Sequence, residues 1–186
     1  MRTLRSVAAL AVLIAAPALA TVVMALTMEE MTAMAPVVVH GTVRRTETNW
    51  DDGKRKIWTW AEIDVRETLK GAPLRTALVK QPGGVVGGIG QSVSGAATFE
   101  AGEEVVLFLE PAVDEAGAFV VLALSAGKVK FEGTVGPKVA RRDLSGLSFA
   151  TSGKRGVAGP VVEREHLGAA EAFLTRIRAA VKGGAR

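Results

Sequence analysis

The stretch KIWTWAEIDVRETLKG, residues 56–71, constrains the fold of this chain more than any other. Its residues alternate strictly from Ile57 to Arg66, and a period of two predicts a strand that is buried on one face only. A strand of this length usually curves and pairs along both of its halves, as in a small barrel. We expect the buried face to hold Ile57, Thr59, Ala61, Ile63 and Val65, and the outer face to hold Trp58, Trp60, Glu62, Asp64 and Arg66.

The composition excludes several classes of function. A hydrophobic fraction of 48% with 23% charged residues is typical of a folded domain with a proper core. The absence of cysteine excludes disulfides, thiol catalysis and cysteine-based zinc sites. Outside the first 20 residues, 21 Lys and Arg stand against 19 Asp and Glu, and a net charge of +2 is too small to indicate a nucleic-acid partner.

The charge is unevenly distributed along the chain. Residues 21–127 carry 9 basic and 14 acidic side chains, whereas residues 128–186 carry 12 basic and 5 acidic ones. Two interpretations follow: the halves attract each other within one fold, or a basic C-terminal face binds an anionic partner.

Residues 1–20 have the pattern of a secretory signal peptide. Arg2 and Arg5 form a positive n-region, an apolar run too short to span a bilayer comfortably follows, and Ala18-Leu19-Ala20 offers small residues at a cleavage site. We therefore expect an exported protein, periplasmic or secreted, that has no stable membrane span after cleavage near Ala20. Cleavage after Ala25 and an uncleaved N-terminal anchor are the alternatives.

The other elements are predicted from start and stop signals. Thr27-Met28-Glu29-Glu30 is a capping box, so we expect a two-turn helix from which Met31 and Met34 face the core and which Pro36 ends. Strands are expected at 37–43, 77–81, 105–109, 118–124 and 128–132, with a polar excursion at 44–55 that turns at 51–53, a glycine-rich hairpin or mobile binding loop at 83–95, and a basic loop at 137–159.

The chain closes with an amphipathic helix at about 165–181. Leu167, Ala170, Leu174, Ile177 and Val181 follow helical spacing on one face, and Gly183-Gly184 ends the helix. The order of elements predicts one domain over residues 21–186. Its fold class is mainly β, a small OB-like Greek-key barrel with a short N-terminal helix and an amphipathic C-terminal helix that plugs or flanks it.

Several of these segments resemble a known group of barrels. Residues 35–39 (APVVV) with 41–43 (GTV), the long strand ending in LKG, and Gly102-Glu103 before 105–108 (VVLF) resemble the netrin-like OB modules, which include the tissue inhibitors of metalloproteinases. Residues 81–90 (QPGGVVGGIG) resemble more closely a group of uncharacterised exported bacterial proteins. The resemblance covers about residues 27–109 and implies the fold. The inhibitors chelate zinc through an N-terminal cysteine, which this chain lacks, so their mechanism does not carry over.

No motif indicates catalysis, a metal or a cofactor. The glycine-rich stretch lacks the Gly-Lys-Ser/Thr of a phosphate-binding loop and the dinucleotide fingerprint, since Gln91 and Ser92 follow Gly90. The two histidines, His40 and His166, lie on separate elements and lack the spacing of a zinc site. Binding rather than catalysis is therefore the leading hypothesis. A hydrolytic enzyme with an unrecognised site and a structural envelope component are the alternatives.

The tryptophans are the best functional signal. Trp50, Trp58 and Trp60 fall within eleven residues, and the alternation turns the last two away from the aliphatic face. If that face is exposed, it forms an aromatic patch with Glu62 and Arg66 as a charged rim, as is common at contact surfaces. We expect a protein partner there. The alternative is that the closing helix or the 44–55 excursion covers the rings.

Overall fold

The structure, a computed structural model, describes residues 21–150 and 163–184. The segment that we interpret as a signal peptide lies outside the described residues, as does part of the expected basic loop. The strands are β1 (Thr21–Met24), β2 (Val37–Trp50), β3 (Ile57–Lys70), β4 (Thr76–Pro82), β5 (Gly84–Val86), β6 (Ile89–Gln91), β7 (Glu104–Pro111), β8 (Ala118–Val121), β9 (Lys128–Glu132), β10 (Val139–Asp143), β11 (Leu147–Ala150) and β12 (Arg164–Ala169). The helices are α1 (Met28–Met34), α2 (Ala170–Gly184) and a 3-10 turn (Leu124–Gly127).

Five strands close into a barrel in the order β2-β3-β4-β8-β7 and back to β2. All neighbours are antiparallel except β4 and β8, which are parallel. Strand β7 closes the ring because it pairs with β2 along most of its length and with β8 at its end, from Leu109 to Pro111. The mainly β, OB-like barrel expected from the sequence is therefore confirmed.

Strand β3 organises this barrel. It pairs with β2 along its length and with β4 over its first half, and three register shifts against β2 provide the bulges that let the long strands curve. Ile57, Ala61 and Ile63 are buried, as the alternation predicts, whereas Val65 is partly buried and packs at the edge of the same core. The barrel interior consists of Val39, Val43, Ala61, Ile63, Ala77, Val79, Ala97, Phe99, Val105, Leu107, Leu109 and Val121.

A second core lies outside the barrel wall. The sheet continues from β7 through β9 and β10 to β12, and both helices pack over the side chains that this extension turns outward. Phe173, Leu174 and Ile177 supply the buried stripe of α2, so the closing helix flanks the barrel. Among the described helices, none combines the length and apolarity needed to cross a membrane.

The capping box of α1 is confirmed, but the buried face of this helix is not the predicted one. The Thr27 hydroxyl accepts a hydrogen bond from the Glu30 amide at 3.1 Å, and the Glu30 carboxylate accepts from the Thr27 amide at 2.8 Å. Met28 and Met31 are buried, whereas Met34 is 56% exposed. The prediction for Met34 was wrong because the helix ends there, leaving no further turn to hold its side chain against the core.

Three predicted boundaries are corrected by strand pairing. The excursion at 44–55 is strand up to Trp50, and only the turn around Asp51 is irregular. The expected loop at 137–159 contains β10 and β11 within its described part. Residues 165–169, predicted as helix, belong to β12, and α2 starts at Ala170. In each case a polar segment gains its backbone hydrogen bonds from a neighbouring strand, a pairing that the polar pattern of the segment itself does not reveal.

The uneven distribution of charge is largely balanced by ion pairs within the fold. Basic side chains of the C-terminal half pair with acidic side chains of the N-terminal half. These pairs are Lys128 and Lys130 with Glu103, Lys138 with Glu104, Arg176 with Glu29, and Arg178 with Glu67. The interpretation that the two halves attract each other is the one these contacts support.

Candidate functional site

The outer surface of β3 and β4 brings two tryptophans and a lysine together. Antiparallel pairing places Trp60 opposite Lys80 and Trp58 opposite Pro82, and directly paired residues project from the same side of a sheet. The loop between β7 and β8 adds Asp114. We call the surface formed by Trp58, Trp60, Lys80 and Asp114 the tryptophan face.

Lys80 lies at the centre of the tryptophan face and is unusually buried for a lysine. Its side chain is 8% exposed, and its Nζ lies 4.3 Å from the centroid of the Trp58 ring and 5.2 Å from that of Trp60. Nζ also donates a hydrogen bond to Asp114 Oδ2 at 2.9 Å, which lowers the pKa of that carboxyl. Lysine is almost never buried without a partner, and here a carboxylate and two indole faces satisfy the ammonium. The two half-buried rings are thereby held around one cation.

A rim of paired charges borders the tryptophan face. Glu62 accepts hydrogen bonds from Arg45 at 2.6 Å and from Arg44 at 2.9 Å, and the bond from Arg45 is the main reason that the pKa of Glu62 is lowered. Glu62 pairs in register with Leu78, an exposed apolar residue on β4. Aromatic rings around a paired central charge, bordered by a charged rim, are a composition that suits a contact surface.

The structure brings together three of the five residues predicted for this site. Trp58, Trp60 and Glu62 share the outer side of β3. Trp50 lies opposite Ile57, in register with the inward-facing side of β3, and does not join them. Arg66 is also separate from the rings, because it lies eight residues along β3 from Trp58, a distance of about 26 Å. Its guanidinium instead donates to Glu104 Oε1 at 2.8 Å.

Neither expected cover lies over the rings. Helix α2 reaches β3 near its other end, where Arg178 donates two hydrogen bonds to Glu67. The 44–50 part of the excursion forms strand β2 and pairs beside β3 instead of folding over it. Lys80 packs against both rings.

Sequence reasoning missed Lys80 and Asp114. A signal for Lys80 existed, since it alternates with the inward-facing Ala77 and Val79 and is therefore an outer residue of β4. Its position beside Trp60 depends on the register between β3 and β4, which the sequence does not specify. Asp114 comes from a loop with no pattern beyond a turn.

A charged cavity of about 390 Å³ lies between residues 96–103, β9 and β10. Glu103 accepts hydrogen bonds from Lys128 at 2.6 Å and pairs with Lys130 at 2.9 Å. Burial raises the pKa of Glu103, but these lysines outweigh it and the pKa is lowered. Burial also lowers the pKa of Lys128 despite its carboxylate partner. The charges pair with one another, which makes the cluster a link between strands.

The histidine on β2 has a structural environment. His40 is buried, its Nε2 lies 2.8 Å from Glu104 Oε1, and its ring lies 5.4 Å from that of Phe131. Across residues 21–150 and 163–184, no group of three or more acidic or histidine side chains is arranged to hold a metal ion.

Comparison with known proteins assigns no family to the chain. No protein-family model matches it. No curated protein matches it either.

Proposed function

We propose that this protein is an exported binding module that engages a protein partner through the tryptophan face. The observation that carries the proposal is the pair of half-buried indoles, Trp58 and Trp60, held around the buried Lys80 on the outer wall of the barrel. Fixing the rings before binding reduces the entropy lost when a partner docks. Tryptophan is also among the residues that contribute most at protein interfaces.

The position of this face in the fold supports a binding role. OB barrels bind ligands on the face of their second and third strands, between the loop joining strands one and two and the loop joining strands four and five. In this barrel those strands are β3 and β4, and the loops are residues 51–56 and 112–117. We also propose that the chain is related to the netrin-like barrels. The sequences of residues 35–43 and 102–108 support this relationship.

The balance of charge favours a protein over a nucleic acid. Lys80, the central cation, is already paired with Asp114, and Glu47 stands opposite Trp60. A surface that tracks phosphates needs unpaired basic side chains along its groove. Mixed charges around aromatic rings suit a protein surface better.

The test uses the double substitution Trp58→Ala and Trp60→Ala. We expect melting to remain cooperative and capture of the envelope partner to weaken roughly tenfold or more, because a bound indole contributes about 2 kcal/mol. Val135→Ser is the control, since Val135 is an exposed apolar residue that lies away from this face, in the loop between β9 and β10.

Acrylamide quenching tests whether the two rings are instead buried in the core. In a Trp50→Phe background, the fluorescence reports Trp58 and Trp60 alone. We expect the rings to be accessible in the free protein and shielded by the partner. Rings that resist the quencher in the free protein, together with a collapse of melting in the double variant, would identify core residues and refute the proposal.

Export is a separate part of the proposal and has its own test. It is supported by the n-region, apolar run and small residues of 1–20. Mass spectrometry of the protein recovered from its native cells should show a chain that starts near Thr21. An intact Met1 would overturn export through a cleaved signal.

A further inference from the structure

A cleft with a different chemistry from the tryptophan face opens at one end of the barrel. It lies between the β5–β6 hairpin, the adjoining ends of β2, β3 and β4, and residues 92–99, and its volume is about 540 Å³. Small-molecule sites occupy roughly 300–1,000 Å³. The cleft is therefore large enough for a small ligand.

The lining of this cleft is polar but uncharged. Of the eighteen described residues that line it, none carries a charge, whereas seven carry hydroxyl groups and two carry carboxamides. Hydroxyls donate and accept, and amides offer both functions on one group. Phe99, Val93 and Pro82 add apolar surface. This combination suits a ligand that is rich in hydroxyl groups, carries no charge and has an apolar face.

Gln81 is the residue that points to a ligand. It is 3% exposed and lines the cleft, yet its side-chain amide makes no hydrogen bond to any described residue. Its neighbours are satisfied: Thr59 donates to the Gly83 carbonyl at 2.7 Å, and Gln91 accepts from the Ile57 amide at 2.5 Å. The amide atoms of Gln81 are not fully enclosed, so the amide opens onto the cleft. A bound ligand would give it a hydrogen-bond partner.

Glycine holds the walls of the cleft close together. Gly84 has φ of +133°, and a Cβ there would lie 2.5 Å from Thr48 Cγ2 and 2.6 Å from Thr59 Oγ1. Only a residue without a side chain lets the β5–β6 hairpin approach the end of the barrel so closely. The glycine-rich stretch that no phosphate or dinucleotide motif explained therefore builds a preformed cleft.

We propose that this cleft binds a neutral saccharide, with the Gln81 carboxamide hydrogen-bonded to the sugar. Sugar hydroxyls match the donors and acceptors of the lining, and the C–H face of a sugar ring matches the exposed apolar side chain of Val93. An anionic ligand would meet no cation among the described lining residues. The proposal is independent of the tryptophan face because Gln81 and Lys80 are successive residues of β4 and project from opposite sides of it.

The test measures binding of oligosaccharides to the full chain by calorimetry. Cellotetraose and chitotetraose are the neutral probes, and tetragalacturonate is the anionic one. We expect at least one neutral probe to bind, and tetragalacturonate to bind roughly tenfold more weakly or worse. Absence of binding by both neutral probes, or tighter binding of the anionic probe, would overturn the proposal.

Two variants assign the binding to this cleft. Gln81→Leu should weaken binding roughly tenfold or more while the Tm changes little, because the amide makes no hydrogen bond to a described residue. Thr46→Val removes an exposed lining hydroxyl with no change in size, and should also weaken binding if Gln81→Leu fails to fold.

The control is Lys80→Met, which alters the tryptophan face and should leave saccharide affinity unchanged. Wild-type affinity in both Gln81→Leu and Thr46→Val would refute the cleft as the site. We expect the Trp58→Ala, Trp60→Ala variant to retain saccharide binding. The saccharide proposal can then be judged whether or not the protein-binding proposal holds.

Discussion

Ile63→Ala is the substitution that tests the barrel core most directly. Ile63 is fully buried inside the barrel. The change removes three carbon atoms, at about 0.8 kcal/mol for each buried methylene, so the transfer contribution is about 2.4 kcal/mol. A cavity contribution adds to this because the neighbour facing Ile63 Cγ2 is Gly41, which has no side chain to collapse into the space.

The expected total is a loss of about 2–4 kcal/mol in the free energy of unfolding. Urea denaturation followed by tryptophan fluorescence measures it, and the m-value should stay constant if the native state keeps its compactness. Ile63→Val should cost less, about 0.5–1.5 kcal/mol. Asp64→Ala, at the next and exposed position of β3, is the control and should stay within about 0.5 kcal/mol.

Two outcomes would refute this reasoning. A loss below about 0.5 kcal/mol for Ile63→Ala would mean that the inner face of β3 is assigned wrongly. A larger loss for Asp64→Ala than for Ile63→Ala would mean that the strand is inverted, since a shift of register by one residue exchanges the two faces.

Three further predictions follow from local geometry. Gly41→Ala should lower the Tm and cost at least about 1–3 kcal/mol in urea melts, because its Cβ would lie 2.4 Å from the Asp64 carbonyl oxygen; a neutral result would show that the bulge can relax. Thr27→Ala should cost about 1 kcal/mol in the same assay through loss of the helix cap, and an unchanged melt would mean that α1 does not depend on its capping box. Glu103→Gln should destabilise the protein at neutral pH, since it leaves the buried Lys128 without its carboxylate. Because the pKa of Glu103 is lowered on folding, its contribution is present above the ordinary value of 4.5 and is lost as the pH falls through the folded value. Urea melts across pH 7 to 3 should therefore converge for wild type and variant at the acidic end, and a gap that widens on acidification would contradict the assignment.

The sequence alone was sufficient for features that neighbouring residues determine. The alternation of β3 predicted which side of this strand is buried, because burial on one face imposes a period of two on the strand itself. The capping box of α1 was equally local, since Thr27 and Glu30 satisfy each other's backbone within one turn. From the long strand and the order of elements, the barrel class could also be predicted.

Features that depend on pairing between distant segments needed the tertiary structure. Strands β10 and β12 are short and polar, and they pair with each other although residues 144–163 separate them in sequence. Met34 carried a helical pattern but lies where α1 ends, so its exposure depends on where the chain turns away.

The candidate sites also combine features set by neighbouring residues with features set by distant ones. The sequence indicated that Trp58 and Trp60 share an outer face, but the strand register decided that Lys80 lies against both rings. Likewise, the sequence showed a glycine-rich stretch, and the tertiary structure placed it beside Gln81 at the end of the barrel. Side-chain periodicity is a property of one strand, whereas adjacency across strands is set by register and by loops. Those depend on the packing of the whole chain.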